Sequence, residues 1–120
     1  MKRATWLFVQ DIIEAIDAIE SHVGTTTFDD FKNDKKTLDS VVWEIHVIGE
    51  ATKNIPKGLR GKYPDIPWRE MAGMRDRIVH FYFGIDHDIV WNVLKTNLPT
   101  IKNQLKRMLT DLKGPNLFSK

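Results

Sequence analysis

The sequence predicts an all-α fold, an antiparallel bundle of roughly four main helices, and three observations predict it. Apolar residues recur at three- and four-residue steps through most of the 120 residues, which is the period of one helix face. Glycine and proline punctuate those stretches, at Gly24, at Pro56 and Gly58, and at Gly114-Pro115, where helices stop. No segment alternates convincingly enough for a strand, and there is no internal repeat.

The first helix covers about residues 4–22, with Trp6, Val9, Ile12, Ile13, Ile16, Ile19 and Val23 on its apolar face and Gly24 at its end. Thr25-Thr26-Thr27 before Phe28-Asp29-Asp30 supplies hydroxyls to cap a short helical turn. A second long helix runs from about Lys35 to Asn54, with Leu38, Val41, Val42, Ile45, Ile48 and Thr52 inward. Gly49 interrupts it at a cost of ~1 kcal/mol relative to alanine, and a glycine kept inside a helix points to a second backbone close by. Residues 56–67 form a proline-punctuated connector with room for one turn of helix. Pro67-Trp68-Arg69-Glu70 starts a third helix, expected to end around Gly84, with Met71, Met74, Ile78 and Phe81 as its core face. A last helix runs from Asp86 or Asp88 to Leu112, kinked at Pro99, which has no N–H to donate. Residues 1–113 therefore read as one domain and 114–120 as a flexible tail.

Composition narrows the function classes. Hydrophobic content of 42% and charged content of 28% describe an ordinary globule, with no apolar run near the ~20 residues of a membrane span. Asp11, Glu14 and Asp17 break the N-terminal stretch and exclude the apolar region of a signal peptide. With no cysteine, disulfide and thiolate chemistry are excluded, and a cytoplasmic location is the expectation. The net charge of +2 is unevenly spread: residues 1–52 carry −5, residues 53–77 carry +4 and the remainder +3. The basic part suits an anionic partner, with Lys62, Arg69 and Arg77 as candidate contacts to a nucleic-acid backbone.

Inside that basic part lies Arg75-Asp76-Arg77-Ile78-Val79-His80-Phe81-Tyr82, a pattern R-x4-H-x-Y. Arginine holds phosphate as a permanently charged fork, and histidine both takes and gives a proton near neutral pH. On a regular helix Arg75 and Tyr82, seven apart, lie nearly one above the other. Asp76 and His80, four apart, also align, so Asp76 could bond the imidazole and favour its charged form. Arg75 and His80 then flank a shared strip, so one copy makes half a site and a two-fold dimer would surround a cleft with two of each. Spacing alone equally allows His80 and Tyr82 as packing residues and the arginines as partners of nearby carboxylates. The four histidines show no metal-ligand spacing, and no phosphate-binding glycine loop or serine-hydrolase elbow is present.

The R-x4-H-x-Y run resembles the R-x4–6-H motif of HEPN-domain proteins, specifically the HepT-like toxins of bacterial and archaeal toxin–antitoxin pairs. Ile48-Gly49-Glu50-Ala51-Thr52-Lys53 followed by Ile55-Pro56 is similar to the family's I-G-E-A helix. Ile66-Pro67-Trp68, Met74-Arg75-Asp76 and Ile85-Asp86 through Val90-Trp91 match in order and spacing. The likeness spans most of residues 4–112. It implies a homodimeric toxin of a type II/VII-like pair, an endoribonuclease working without metal or cofactor on RNA. Arg75 and His80 map onto the catalytic pair. Asp76 stands where the family commonly has asparagine, a departure beside the phosphate site. Tyr82 maps onto the tyrosine that the partner antitoxin, a minimal nucleotidyltransferase (MNT), modifies by AMP transfer. The alternative is a non-catalytic helical binding module that partners a nucleotidyltransferase and positions its substrate, in which His80 does no acid–base work.

Overall fold

A computed structural model describes residues 3–80 and 84–114, with the backbone alone at Val79 and His80. The elements in chain order are α1 (Thr5–Val23), α2 (Phe28–Lys32), α3 (Lys35–Lys53), α4 (Lys57–Arg60), α5 (Trp68–Ile78), β1 (Val79–His80), β2 (Gly84–Ile85) and α6 (His87–Asn92). A π-helical turn over Val93–Asn97 then leads into α7 (Leu98–Lys113). The chain is an all-α bundle in which α3 lies between α1 and α5, and α7 closes against α1.

Local chemistry sets the ends of these helices. Thr27 caps α2 by accepting from the Asp30 N–H at 3.2 Å. Asp34 caps α3 by accepting from the Thr37 N–H at 3.1 Å and hydroxyl at 2.7 Å, bonds that hold its carboxyl below the usual carboxylate range. Phe31 anchors α2, fully buried against Trp91 of α6 with ring centroids 5.2 Å apart. The irregularity expected at Pro99 sits just before it. Proline has no N–H for the Lys95 carbonyl and its ring crowds that oxygen; the chain widens, and the Leu98 N–H bonds the Val93 oxygen five residues back. The core is aliphatic: Ile12, Ile16 and Ile19 of α1, Ile45 and Ile48 of α3, and Leu105 and Met108 of α7 are fully buried, each worth roughly 1.5–3 kcal/mol of transfer free energy.

Gly49 shows why α3 carries a glycine. A Cβ there would sit 3.3 Å from the Ala72 carbonyl oxygen of α5, a backbone atom that cannot swing aside. Replacing Gly49 with leucine should force α3 and α5 apart and destabilise the fold by about 1–3 kcal/mol. Urea unfolding reads this, and an unchanged midpoint would show that the two backbones need not be so close.

One expected element is corrected. The third helix ends at Ile78, not near Gly84. Past it the chain turns into a two-stranded hairpin with Val79 paired to Ile85 and His80 to Gly84. In a continued helix the Ile78 carbonyl would accept from residue 82; here it accepts from the Asp86 N–H at 2.7 Å. The run Val79 through Phe83 is β-branched and aromatic, composition that favours extended backbone. Gly84 takes φ +81°, a conformation that side chains with a Cβ rarely adopt. Phe81, Tyr82 and Phe83 lie outside the described residues, as do 115–120 of the expected tail.

Candidate functional site

The hairpin changes the geometry drawn from a regular helix. Neither the seven-residue alignment of Arg75 with Tyr82 nor the four-residue alignment of Asp76 with His80 applies, because helical backbone stops between them. Arg75 and Asp76 remain on the last turns of α5. His80 has its backbone in β1, with its side chain outside the described atoms, and Tyr82 lies outside the described residues altogether.

Arg75, Asp76, Arg77 and Arg69 are all exposed on α5. Eight residues apart, Arg69 and Arg77 share one side of that helix, while Arg75 is turned well away from both. Arg75 faces α3. It lines an open groove of about 360 Å³ with Asp39, Val42, Trp43 and His46. It also borders a smaller recess of about 80 Å³ with His46, Gly49, Glu50, Lys53 and Asp76. It pairs with the carboxylate of Asp76, Nη1 to Oδ1 3.8 Å, with both side chains at least half exposed. Such an exposed pair is worth little, so it does not tie up the guanidinium against a stronger anion. Lys62 does not share this groove; it lines a separate concavity of about 470 Å³ with Tyr63, Gln104 and Arg107. There the Tyr63 hydroxyl donates to Asp111 at 2.9 Å, and burial, with that bond, pushes its pKa up.

Two residues beside Arg75 escaped sequence reasoning. His46 half-buries its ring against Trp43, centroids 5.5 Å apart, and touches both spaces that Arg75 borders. The available signal was Trp43 itself, a large aromatic on the polar side of an otherwise well-patterned helix. Among the described residues no group of three His, Cys, Asp or Glu side chains could hold a metal ion, and no helix is long and apolar enough to cross a membrane.

A helical bundle whose arginine-bearing helix runs straight into a histidine-bearing hairpin is the class of protein that these observations define. The chain belongs to the HepT-like ribonuclease family: the model described as "Ribonuclease HepT-like" matches residues 12–108. It is 43% identical over 108 residues to a Thermococcus cleftensis protein named "Probable ribonuclease HepT", covering 90% of this chain and 98% of that one. It is 42% identical over 113 residues to a protein of Methanocaldococcus jannaschii named "Putative RNase", covering 94% and 93%. A third relative, from Caldanaerobacter subterraneus and also named "Putative RNase", is 34% identical over 102 residues, covering 85% and 91%. No solved structure shows a significant match.

Proposed function

We propose that the chain is the ribonuclease toxin of a toxin–antitoxin pair, a metal-independent endoribonuclease of the cytoplasm whose active site is composed at the cleft of a homodimer. The observation that carries this is family membership across residues 12–108, a span that contains Arg75 and His80 in their R-x4-H spacing. The exposure of Arg75 on an open groove supports it.

The chemistry follows from the side chains. The ribose 2′-hydroxyl attacks the adjacent phosphorus, its proton passing to one His80 imidazole acting as general base. The P–O5′ bond breaks and the leaving oxygen takes a proton from a second imidazole, His80 of the other copy. The products are a 2′,3′-cyclic phosphate and a 5′-hydroxyl. Arg75 holds the charge that builds on the non-bridging oxygens. Arg69, Arg77 and Lys62 add sequence-independent attraction to the RNA backbone.

Regulation falls to Tyr82, as acceptor of AMP from an MNT-type nucleotidyltransferase antitoxin. The added phosphodiester brings bulk and negative charge to the place where substrate phosphate binds, and it offers Arg75 a competing partner.

The test is RNA cleavage by the purified chain in excess EDTA, with end-group analysis. Cleavage leaving cyclic phosphate is the expected result. No cleavage of several RNAs by folded protein would move the chain to the binding-module alternative. Tyr82→Phe should cleave like the wild type yet escape silencing by the nucleotidyltransferase. Full AMP-dependent neutralisation of that variant would contradict the acceptor assignment.

A further inference from the structure

Among the described residues, Trp43 is the large apolar side chain left exposed, at 62%. It stands on the side of α3 turned away from the buried Ile45 and Ile48, and an open groove lies on either flank. Toward α1, Phe8 and Val47 help line about 300 Å³; toward α5, Val42, His46 and Arg75 help line about 360 Å³. An indole ridge beside a partly apolar groove is a knob and a hole on one face, as a two-fold contact between identical surfaces requires.

Charge selects the occupant. Lys36, Trp43 and Glu50 follow one another at seven-residue intervals along α3, so they form one stripe that drifts only ~20° per step. The stripe is positive at one end and negative at the other, each end ~10.5 Å from the indole at 1.5 Å per residue. A second α3 laid antiparallel about Trp43 sets each Lys36 opposite the partner's Glu50, whereas a parallel one sets like charges together. Both side chains are exposed, and among the described residues Glu50 has the exposed Lys53, 3.4 Å away, as a rival.

Resting on the homodimeric reading above, we propose that this face of α3 is the interface with a second copy of the chain, the two helices crossing antiparallel at Trp43 with Lys36 of each copy paired to the partner's Glu50. Arg75 borders the same groove as Trp43, so the interface brings the arginines of both copies to its rim. A single copy lacks half of that rim.

Sedimentation of the full chain tests this. The wild type should sediment at twice its 14.0 kDa. Trp43→Asp should raise the dimer dissociation constant by ~100-fold or more, as loss of a central aromatic anchor does, with its helical circular dichroism unchanged. Lys36→Glu and Glu50→Lys should each weaken the dimer by about 10-fold, and the double variant should recover most of that loss. A dimer undisturbed by Trp43→Asp, or a double variant no tighter than the singles, overturns the assignment. So does a monomeric wild type, and if that monomer loses RNA binding on Trp43→Asp, the face belongs to RNA. Cleavage assayed alongside separates the two inferences. A wild-type dimer that Trp43→Asp dissociates but that cuts no RNA leaves the interface standing and overturns the nuclease, and cutting by a dimer indifferent to Trp43→Asp does the reverse.

Discussion

Replacing His80 with alanine should lower RNA cleavage by about 10²–10⁴-fold, the range that a positioned acid–base group contributes, while thermal unfolding stays close to that of the wild type. Folding should tolerate the change because alanine keeps the backbone pairing of residue 80 with Gly84. Two imidazoles, one taking and one giving a proton, require opposite protonation states. Wild-type cleavage should therefore rise and then fall with pH around neutrality, and the variant's residual rate should lack that bell. A folded His80→Ala protein that cuts RNA at the wild-type rate would remove acid–base catalysis from this residue and the nuclease mechanism with it.

Where a helix buries one stripe, its sequence shows it. Ile12, Ile16 and Ile19 of α1 and Leu38, Val41, Ile45 and Ile48 of α3 are spaced at helical steps, and all are buried. The close backbone at Gly49 and the irregularity before Pro99 were legible for a related reason, since a missing Cβ or a missing N–H has one dominant structural use. The end of α5 was harder to see. Two signals compete over residues 78–84: the helical spacing of Met71, Met74 and Ile78 continues to Phe81, while Val79 to Phe83 favours extended backbone. The contest is decided by the Asp86 N–H, eight residues on, which takes the Ile78 carbonyl. Apolar spacing along the chain carries no sign of that bond. The surroundings of Arg75 were illegible for a similar reason. Its neighbours Trp43 and His46 come from α3, some thirty residues earlier in the chain, and only the packing of α3 on α5 brings them together.

Arg75 and Asp76 make opposite predictions from adjacent positions. Arg75→Gln keeps a polar, helix-compatible side chain at an exposed site and removes the charge, so the fold should survive. Cleavage should fall about 10²–10³-fold, the loss seen when a transition-state oxyanion loses a donor. Arg75→Lys should recover only part of this, because an ammonium cannot match two phosphoryl oxygens with a planar fork. If Arg75 also contacts phosphate in the bound RNA, the slope of log affinity against log salt should flatten by ~0.7 in the glutamine variant. Asp76 acts with the other sign. Its carboxylate lies 3.8 Å from the guanidinium, largely in water, so it draws little on the arginine's stability but repels an incoming phosphate. Because α5 ends at Ile78, the helical alignment that would have let Asp76 orient His80 does not hold, and Asp76→Asn should raise RNA affinity and cleavage a few-fold at low salt. That gain should shrink as salt screens the charge it removes. A fall in cleavage for Asp76→Asn would instead make this carboxylate a support of the site, one that holds Arg75 in place. Wild-type cleavage by Arg75→Gln would move phosphate recognition off α5.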